Sequence, residues 1–417
     1  MYSNLRALAD ARDTLEPVLD IVDQRVHDAR TPAWCERRGW TEFLLGLSDA
    51  ELRRCEAEGL SLALHTLAAA PESLTELAER VRRASMLPVL QTPLAEPTKQ
   101  DFRGVGVRKQ RQLATLLGAL APLAEPAKRI VDVGAGSGHF ASLSARHFGR
   151  ATLGLERNPA RVASATRREQ TRSLAGESVG AEFAVIDAGR DPLRLFPGDL
   201  AIGLHACGEL GDTLVRVVAE TGTDLALVSC CLQKITSAER TPLSRAASGF
   251  ALRKDTLGLS NLTAQAVGVE ASVEHNICGR QARYALRLLL LARGLEFEPG
   301  AEMQGVNRRQ AQSGLAAIAQ RSLELHGLPP ATDAEISEFE RAAEEQFRVI
   351  RRLSLPRDML ARVIELSVIL DRAAHLEESG HSVRVATLFE RAVTPRNVSL
   401  FASRDAARLP RVQGAAS

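Results

Sequence analysis

The sequence predicts an α/β fold built on a parallel sheet that is buried on both faces. Short apolar runs, rich in β-branched residues, recur through the middle of the chain and alternate with segments of helical periodicity. Unbroken apolar runs are typical of parallel strands that helices cover on both sides, because such strands have no solvent-facing side. The predicted strands are 130–133, 151–155, 184–186, 200–204 and 225–228.

Helices are predicted on both sides of this core. Apolar residues recur at helical spacing through the first hundred residues, and Ser48 and Glu51 have the spacing of a helix capping box. Pro356 is predicted to begin the last helix, which two strands at 383–389 and 398–401 follow as a hairpin. The predicted organisation is a helical accessory domain (1–97), a core domain (98–235), a helical insertion (236–355), and a last core helix with a strand hairpin that completes the sheet (356–410).

Composition narrows the classes of protein that the chain can represent. The formal net charge is only +2, so no overall positive field indicates nucleic acid, and 4% aromatic residues leave few rings on which bases could stack. The longest apolar run, 286–291, is too short to span a bilayer, and the charged first twenty residues predict no signal peptide. We expect a cytoplasmic protein with reduced thiols, no membrane association and no obligatory protein partner; the sequence leaves the oligomeric state open.

A glycine-rich segment follows the first predicted strand and precedes a predicted helix. Glycines at this junction let the chain turn tightly and bring backbone N–H groups against a ligand, towards which the positive end of the helix also points. Asp132 lies within the strand, at a position that is usually apolar in nicotinamide-binding folds. The predicted cofactor-binding residues of this segment are Asp132, Gly134, Ala135, Gly136 and Gly138.

Two carboxylates end the next two predicted strands. Glu156 follows the glycine segment by about twenty residues, where a carboxylate can accept hydrogen bonds from both hydroxyls of a ribose. Asp187 ends the third strand, where a carboxylate can accept from an adenine amino group. Because the third glycine of a dinucleotide-binding loop is replaced by His139, the pattern favours S-adenosylmethionine over a nicotinamide cofactor.

Polar residues follow the fourth and fifth predicted strands, which are neighbours in a doubly wound sheet. His205 is a candidate general base, since the unperturbed pKa of imidazole lies near neutrality. It is also predicted to face the cofactor. Cys207 and Lys234 complete the predicted catalytic set. Taken singly, a thiol at such a position is more often a small buried hydrophobe than a reactive group.

A zinc site is the alternative interpretation of the same loops. His205, Cys207, Cys230 and Cys231 include the nitrogen and sulfur ligands that zinc prefers. However, the side chains of two adjacent cysteines diverge on a strand, and no C-x-x-C pair is present. We therefore expect no metal, and we expect Cys278 to lie in the core on a helix.

Three stretches resemble one branch of the class I S-adenosylmethionine-dependent methyltransferases. They are Leu-His-Ala-Cys-Gly-Glu-Leu at 204–210, Ser-Cys-Cys-Leu-Gln-Lys at 229–234, and the segment from Leu370 to Asn397. The branch contains methyltransferase-like proteins, including the ribosomal RNA adenine dimethylase domain-containing type, and is more distantly similar to the tRNA 2′-O-methyltransferases. In the second stretch, Leu232 and Gln233 replace the family's Tyr and His.

The resemblance implies a Rossmann-like sheet of seven strands, in which the last two form an antiparallel hairpin after a helical insertion. It also implies roles at the acceptor side for His205, Cys207 and Lys234. The favoured function is a methyltransferase that acts on RNA, either tRNA or rRNA. The alternatives are a methyltransferase of a protein or small molecule, which the nearly neutral charge favours, and a non-catalytic protein that binds S-adenosylmethionine, which the replaced Tyr and His favour.

Overall fold

The computed structural model describes residues 2–91, 106–174, 180–204, 206–264, 270–389 and 397–413. The chain divides into two compact units, and each combines stretches that are distant in the sequence. Unit 1 consists of Met1–Pro17, Arg83–Ala264 and Ala361–Ser417, whereas unit 2 consists of Val18–Arg82 and Gln265–Leu360.

The described residues contain nine strands; seven overlap the runs that the sequence predicts, and two short ones, at 239–240 and 252–253, do not. The strands are β1 (Arg129–Val133), β2 (Ala151–Glu156), β3 (Ala181–Val185), β4 (Asp199–Leu204), β5 (Asp224–Val228), β6 (Glu239–Arg240), β7 (Leu252–Arg253), β8 (Ser382–Thr387) and β9 (Val398–Ser403). The helices are α1 (Asn4–Leu15), α2 (Leu19–Asp23), α3 (Ala33–Arg37), α4 (Thr41–Gly46), α5 (Asp49–Glu58), α6 (Leu60–Ala63), α7 (Glu72–Ala84), α8 (Val107–Ala124), α9 (His139–Phe148), α10 (Pro159–Leu174), α11 (Glu209–Thr221), α12 (Lys254–Leu259), α13 (Glu270–Ala292), α14 (Ala316–Leu325), α15 (Asp333–Met359) and α16 (Ala361–Glu378).

Unit 1 contains a sheet of seven strands in the order β3-β2-β1-β4-β5-β9-β8. The first five are mutually parallel, and β9 pairs antiparallel with both β5 and β8. The predicted fold class and the C-terminal hairpin are therefore confirmed. The predicted turn falls mostly on residues 394–396, which lie outside the described residues. The carboxyl ends of β1, β2, β4 and β5 meet at one edge of the sheet, which is where open α/β sheets bind ligands.

Apolar side chains cover both faces of this sheet. On one face Ile130, Leu200 and Phe401 pack with the leucines of α8, and on the other Val131 and Leu227 pack with α11 and α16. Adjacent residues of β1 thus point to opposite faces, and both faces are buried. Burial on both sides explains why the strands read as unbroken apolar runs.

Unit 2 is helical among its described residues, and one helix corrects a prediction. The α15 helix continues through Pro356 to Met359, and α16 begins at Ala361, so Pro356 does not begin the last helix. Leu353 and Leu355 are buried beside the proline. Their burial offsets an interior proline's cost of about 3 kcal/mol.

Smaller features refine the predictions. Ser48 and Glu51 form the predicted capping box at the start of α5. Cys278 lies on α13 as predicted but is exposed rather than buried in the core, because it is on the outward face of that helix. The segment after β5, predicted to be helical, also contains the short β6–β7 pair. Among the described residues, no helix combines the length and the apolar character needed to cross a membrane.

Candidate active site

The glycine-rich segment forms a tight loop between β1 and α9. The N–H groups of Gly134 and Ala135 both donate to the carbonyl oxygen of Leu155 in β2, at 2.8 and 2.9 Å. Gly138 has a φ of 72°, and a Cβ there would lie 2.5 Å from the ring of Phe183. A side chain at this position would therefore prevent α9 from approaching the sheet closely.

Gly136, at the tip of this loop, faces open space. Its φ is 60°, and a Cβ would meet only the carbonyl oxygen of Gly134, at 4.0 Å. The loop therefore leaves room for a ligand beside backbone N–H groups at the start of α9. A negatively charged or strongly polar group is favoured there, since the N-terminus of a helix carries partial positive charge.

Glu156 lies at the end of β2 and reaches this loop. The Gly136 N–H donates to Glu156 Oε2 at 2.9 Å, and the Asn158 N–H donates to Oε1 at 3.1 Å. The carboxylate is 7% exposed, and Arg161 lies 4.0 Å from it. Each carboxylate oxygen has a second lone pair, so both can still accept from a pair of vicinal hydroxyls. The structure thus brings Glu156 and the glycine loop together, as the spacing predicts.

Asp132 lies on β1 and is buried on the side of the sheet that α8 covers. Its pKa is raised to about 7, chiefly by burial. The charge of Lys109 on α8 opposes this rise, and the charge of Glu156 adds to it. Burial also lowers the pKa of Lys109, whose Nζ donates to Gln112 Oε1 at 2.9 Å. Asp132 and Lys109 therefore place a titratable pair next to the glycine loop.

Asp187 follows β3 and is half-buried. Its Oδ1 accepts from the Gly189 N–H at 3.2 Å, and its own N–H donates to Asp191 Oδ2 at 2.9 Å. These bonds fix the turn that holds the carboxylate. Asp187 therefore ends a strand next to β2, at the same edge of the sheet as Glu156.

The loops after β4 and β5 are hydrogen-bonded to each other. We call residues 206–209 and 229–236 the acceptor loops. The Glu209 N–H donates to the carbonyl oxygen of Lys234 at 3.0 Å, and the Glu209 carboxylate accepts from Thr236. The Lys234 side chain is exposed, whereas its backbone forms this junction. His205 lies outside the described residues.

Sulfur atoms also connect the acceptor loops. Cys207 and Cys230 form a disulfide with a Cα–Cα distance of 5.3 Å, so the expectation of reduced thiols does not hold for this pair. Cys231 is a free thiol whose Sγ belongs to the same cluster. The two loops follow adjacent parallel strands, and this brings together cysteines that are 23 residues apart.

Arg372 on α16 donates hydrogen bonds to both acceptor loops. This guanidinium is 0% exposed, and it donates to the Gly208 carbonyl oxygen at 2.8 Å and to Ser229 Oγ at 2.7 Å. It also donates to Asp212 Oδ1 at 2.8 Å. One buried side chain thus contacts the loop after β4, the loop after β5 and the first turns of α11. The sequence places Arg372 only within a tail motif and gives no indication of this contact.

A second arginine completes the buried network. Arg240 contacts Asp212 at 2.9 Å and Asp371 at 2.8 Å, and all three are largely buried. Burial by itself would raise the pKa of Asp212, but Arg372 and Arg240 lower it to about 2. Two guanidiniums and two carboxylates therefore compensate one another's charge in the protein interior.

Gln233 in the second acceptor loop has a buried Oε1 without a hydrogen-bond partner among the described residues. An unpaired buried acceptor costs about 1–3 kcal/mol, so a donor that reaches it contributes to binding. Gln233 stands where the family that the sequence resembles has a histidine.

Part of the chain is similar to known proteins. Residues 108–238 match the model of a family described as a methyltransferase domain. One similar solved structure is magnesium protoporphyrin IX methyltransferase from Synechocystis with S-adenosylhomocysteine (18% identity over 32% of this chain and 60% of that chain, TM-score 0.25). Another is a tRNA (uracil-54, C5)-methyltransferase from Pyrococcus abyssi (24% identity over 29% of this chain and 29% of that chain, TM-score 0.23). A third is an S-adenosylmethionine-dependent methyltransferase from Thiobacillus denitrificans (21% identity over 32% of this chain and 56% of that chain, TM-score 0.24). The aligned segment spans less than two thirds of each of these chains.

The family match and the strand order agree. The matched residues contain β1 to β5 and both acceptor loops, whereas β8 and β9, which complete the sheet, lie outside the match. The similarity to a methyltransferase domain therefore covers the five parallel strands of the sheet and the loops at their carboxyl ends.

Proposed function

We propose that the chain is an enzyme that transfers the methyl group of S-adenosylmethionine to RNA, either tRNA or rRNA. The observation that carries this proposal is the junction of the acceptor loops at the carboxyl ends of β4 and β5. These loops overlap two of the three stretches that resemble the methyltransferase branch that includes the ribosomal RNA adenine dimethylase domain-containing type. They lie at the same sheet edge as the glycine loop.

In this proposal the cofactor is held by groups on three successive strands. Glu156 accepts from the ribose hydroxyls, Asp187 accepts from the adenine amino group, and the N–H groups of the loop from Gly134 to Gly138 face the methionine part. Asp132 and its partner Lys109 lie beside this loop. When bound, the sulfonium supplies an activated methyl group, so the protein has only to align the acceptor and exclude water.

The acceptor loops supply the alignment. His205 is proposed as the base that takes the proton of the acceptor, and the exposed ammonium of Lys234 as a contact for the substrate. Arg372 is a positioning residue, because it fixes the backbone of both loops without reaching the surface.

RNA requires phosphate contacts, and exposed cations lie in and beyond the second acceptor loop. Lys234 lies in the loop, Arg253 pairs across β6 and β7 with Glu239, and Lys254 is next to the exposed Asp255. Each phosphate contact contributes a salt-dependent part to the affinity for single strands, with a slope of about −0.7 for each neutralised phosphate. Exposed cations of this kind can contact phosphates although the net charge of the chain is only +2.

The test is transfer of tritiated methyl from labelled cofactor to total RNA, to nuclease-treated lysate and to a small-molecule extract. RNA labelling that Arg253→Ala/Lys254→Ala weakens at least about tenfold, together with a shallower salt slope, supports the proposal. Arg321→Ala/Arg341→Ala removes two exposed arginines of unit 2 and is the matched control.

Other outcomes select the alternatives. Labelling confined to the nuclease-treated lysate or to the extract indicates a protein or small-molecule acceptor and contradicts the RNA proposal. Absence of labelling in all fractions, while the protein binds S-adenosylmethionine, indicates a non-catalytic binding protein.

A further inference from the structure

Three cysteines converge at the ends of β4 and β5, beside the groups that the proposed mechanism uses. The Sγ atoms of Cys207, Cys230 and Cys231 all lie within 4.8 Å of one another. Cys207 and Cys231 are half-buried. Since the hydrogen bonds of the acceptor loops fix the backbone on both sides, these sulfur atoms are held together by the fold rather than by chance contact of mobile side chains.

The convergence of adjacent cysteines has a backbone explanation. Neighbouring side chains diverge only where the chain is an extended strand. Here β5 ends at Val228, and Cys230 and Cys231 lie beyond it, at the start of a turn in which the Lys234 N–H donates to the Cys231 carbonyl oxygen at 3.2 Å. The reason for expecting no metal, that the two thiols point apart, therefore does not apply.

We propose that Cys207, Cys230 and Cys231, when reduced, bind one Zn²⁺ through three thiolates and leave the fourth tetrahedral position to water or another ligand. Sulfur atoms that share a tetrahedral zinc at about 2.3 Å are about 3.8 Å apart. The three Sγ atoms already lie within 4.8 Å of one another. Sulfur ligands favour zinc over the oxygen-preferring Mg²⁺ and Ca²⁺.

The disulfide is the oxidised, metal-free form of this site. A dithiol reductant gives two electrons and two protons to the Cys207–Cys230 bond, which breaks into two thiols while the reductant becomes a disulfide. Zinc binding then displaces up to three thiol protons as the thiolates form. The ion connects the acceptor loops in the reduced protein, as the disulfide connects them in the oxidised protein.

The experiment uses full-length protein, reduced with dithiothreitol, freed of metal and titrated with Co²⁺ in the absence of oxygen. We expect a sulfur-to-cobalt charge-transfer band, the intense visible bands of a tetrahedral ion, and a stoichiometry of one ion for each chain. Zn²⁺ should displace the cobalt and abolish these bands. A reduced wild-type protein without a charge-transfer band would overturn the proposal, and this readout needs no variant.

Cys231→Ser separates the metal site from the disulfide, because Cys231 is not part of the Cys207–Cys230 bond. We expect this variant to weaken zinc binding at least about 100-fold. Changing a group that only surrounds the ligands costs up to about 100-fold, and Cys231 is proposed as a ligand itself. Cys278→Ser, which removes an exposed thiol of unit 2, should bind zinc as the wild type does. Unchanged zinc affinity in Cys231→Ser would show that the cysteines form a disulfide only.

Discussion

Gly208 is the single residue on which the junction of the acceptor loops most depends. Its φ is 51° with a ψ of −122°, a conformation that side chains rarely adopt, and a Cβ there would overlap the backbone carbonyl of Lys234. The overlap is with backbone, so it cannot be relieved by a side-chain rotation. The close approach of the loops therefore requires glycine.

We predict that Gly208→Ala lowers the free energy of unfolding by about 3 kcal/mol and abolishes methyl transfer. Gly149→Ala is the matched control, because Gly149 also has a positive φ, 62°. A Cβ at this position would have no atom within 4 Å. This substitution should cost only about 1 kcal/mol. Urea denaturation measures both, and equal costs would contradict the importance of the Lys234 contact.

The buried carboxyl of Asp132 gives a prediction about pH. Its pKa rises from an ordinary 3.8 to about 7 on folding, chiefly through burial. Between these values the native state keeps a proton that the unfolded state releases, so this group's contribution to stability is full below about pH 4 and is lost as the pH rises towards 7. Each unit of the shift corresponds to about 1.4 kcal/mol.

We predict that, relative to Asp132→Asn, the cofactor-free wild-type protein becomes progressively less stable between about pH 4 and pH 7, after which the difference is constant. Chemical denaturation of both proteins across this range gives the difference. A difference that does not change with pH would show that Asp132 titrates normally in the folded protein.

At the scale of elements, α16 controls the geometry of two loops that belong to other strands. Arg372 contacts the loop after β4, the loop after β5 and the start of α11 through one buried guanidinium. A Cβ at Gly211 would lie 2.8 Å from this guanidinium, so α11 must also be small there. The α16 helix thus positions the acceptor loops, which follow β4 and β5.

We predict that Arg372→Lys lowers kcat at least about tenfold while S-adenosylmethionine affinity changes less than about twofold. Lysine keeps the charge beside Asp212 but cannot reproduce the planar set of donors, so the loops lose their common anchor. We also expect a loss of about 2–3 kcal/mol in stability. Arg245→Lys, at an arginine that is 87% exposed, is the control. Lower stability with unchanged kcat would limit Arg372 to a structural role.

At the scale of the whole molecule, unit 1 depends on both ends of the chain. The α1 helix packs on α16, and β9 pairs with β5, so the central sheet is completed by residues more than a hundred positions after β5. The family match covers residues 108–238, so α1 lies before it, and α16 and β9 lie after it. The matched segment therefore lacks the partners of its own edge strand.

We predict that a fragment of residues 106–264 does not unfold cooperatively and does not bind S-adenosylmethionine. It exposes the edge of β5 and the apolar side chains that α16 and β9 cover, including Leu225 and Leu227. Differential scanning calorimetry and cofactor titration, with the full chain as the control, measure both properties. A fragment with a sharp transition and full affinity would show that the first five strands are sufficient.

Features that depend on near neighbours could be predicted from the amino-acid sequence. Apolar runs located the strands, because a strand buried on both faces needs an apolar residue at almost every position. The glycine spacing located the loop before α9, and its distance to Glu156 placed the two at one sheet edge, where they do meet. The roles of these residues in binding the cofactor stay predictions.

Contacts between distant segments follow from the packing of the folded chain and could not be predicted from local patterns. Asp132 and Lys109, Arg372 and Ser229, and the three thiols are each brought together by the sheet order and by where a strand ends, which local patterns do not encode. The two units each combine stretches that are distant in the sequence, and the predicted division into consecutive segments stays a prediction. Local sequence specifies elements through short-range periodicity, whereas long-range packing decides which elements become neighbours.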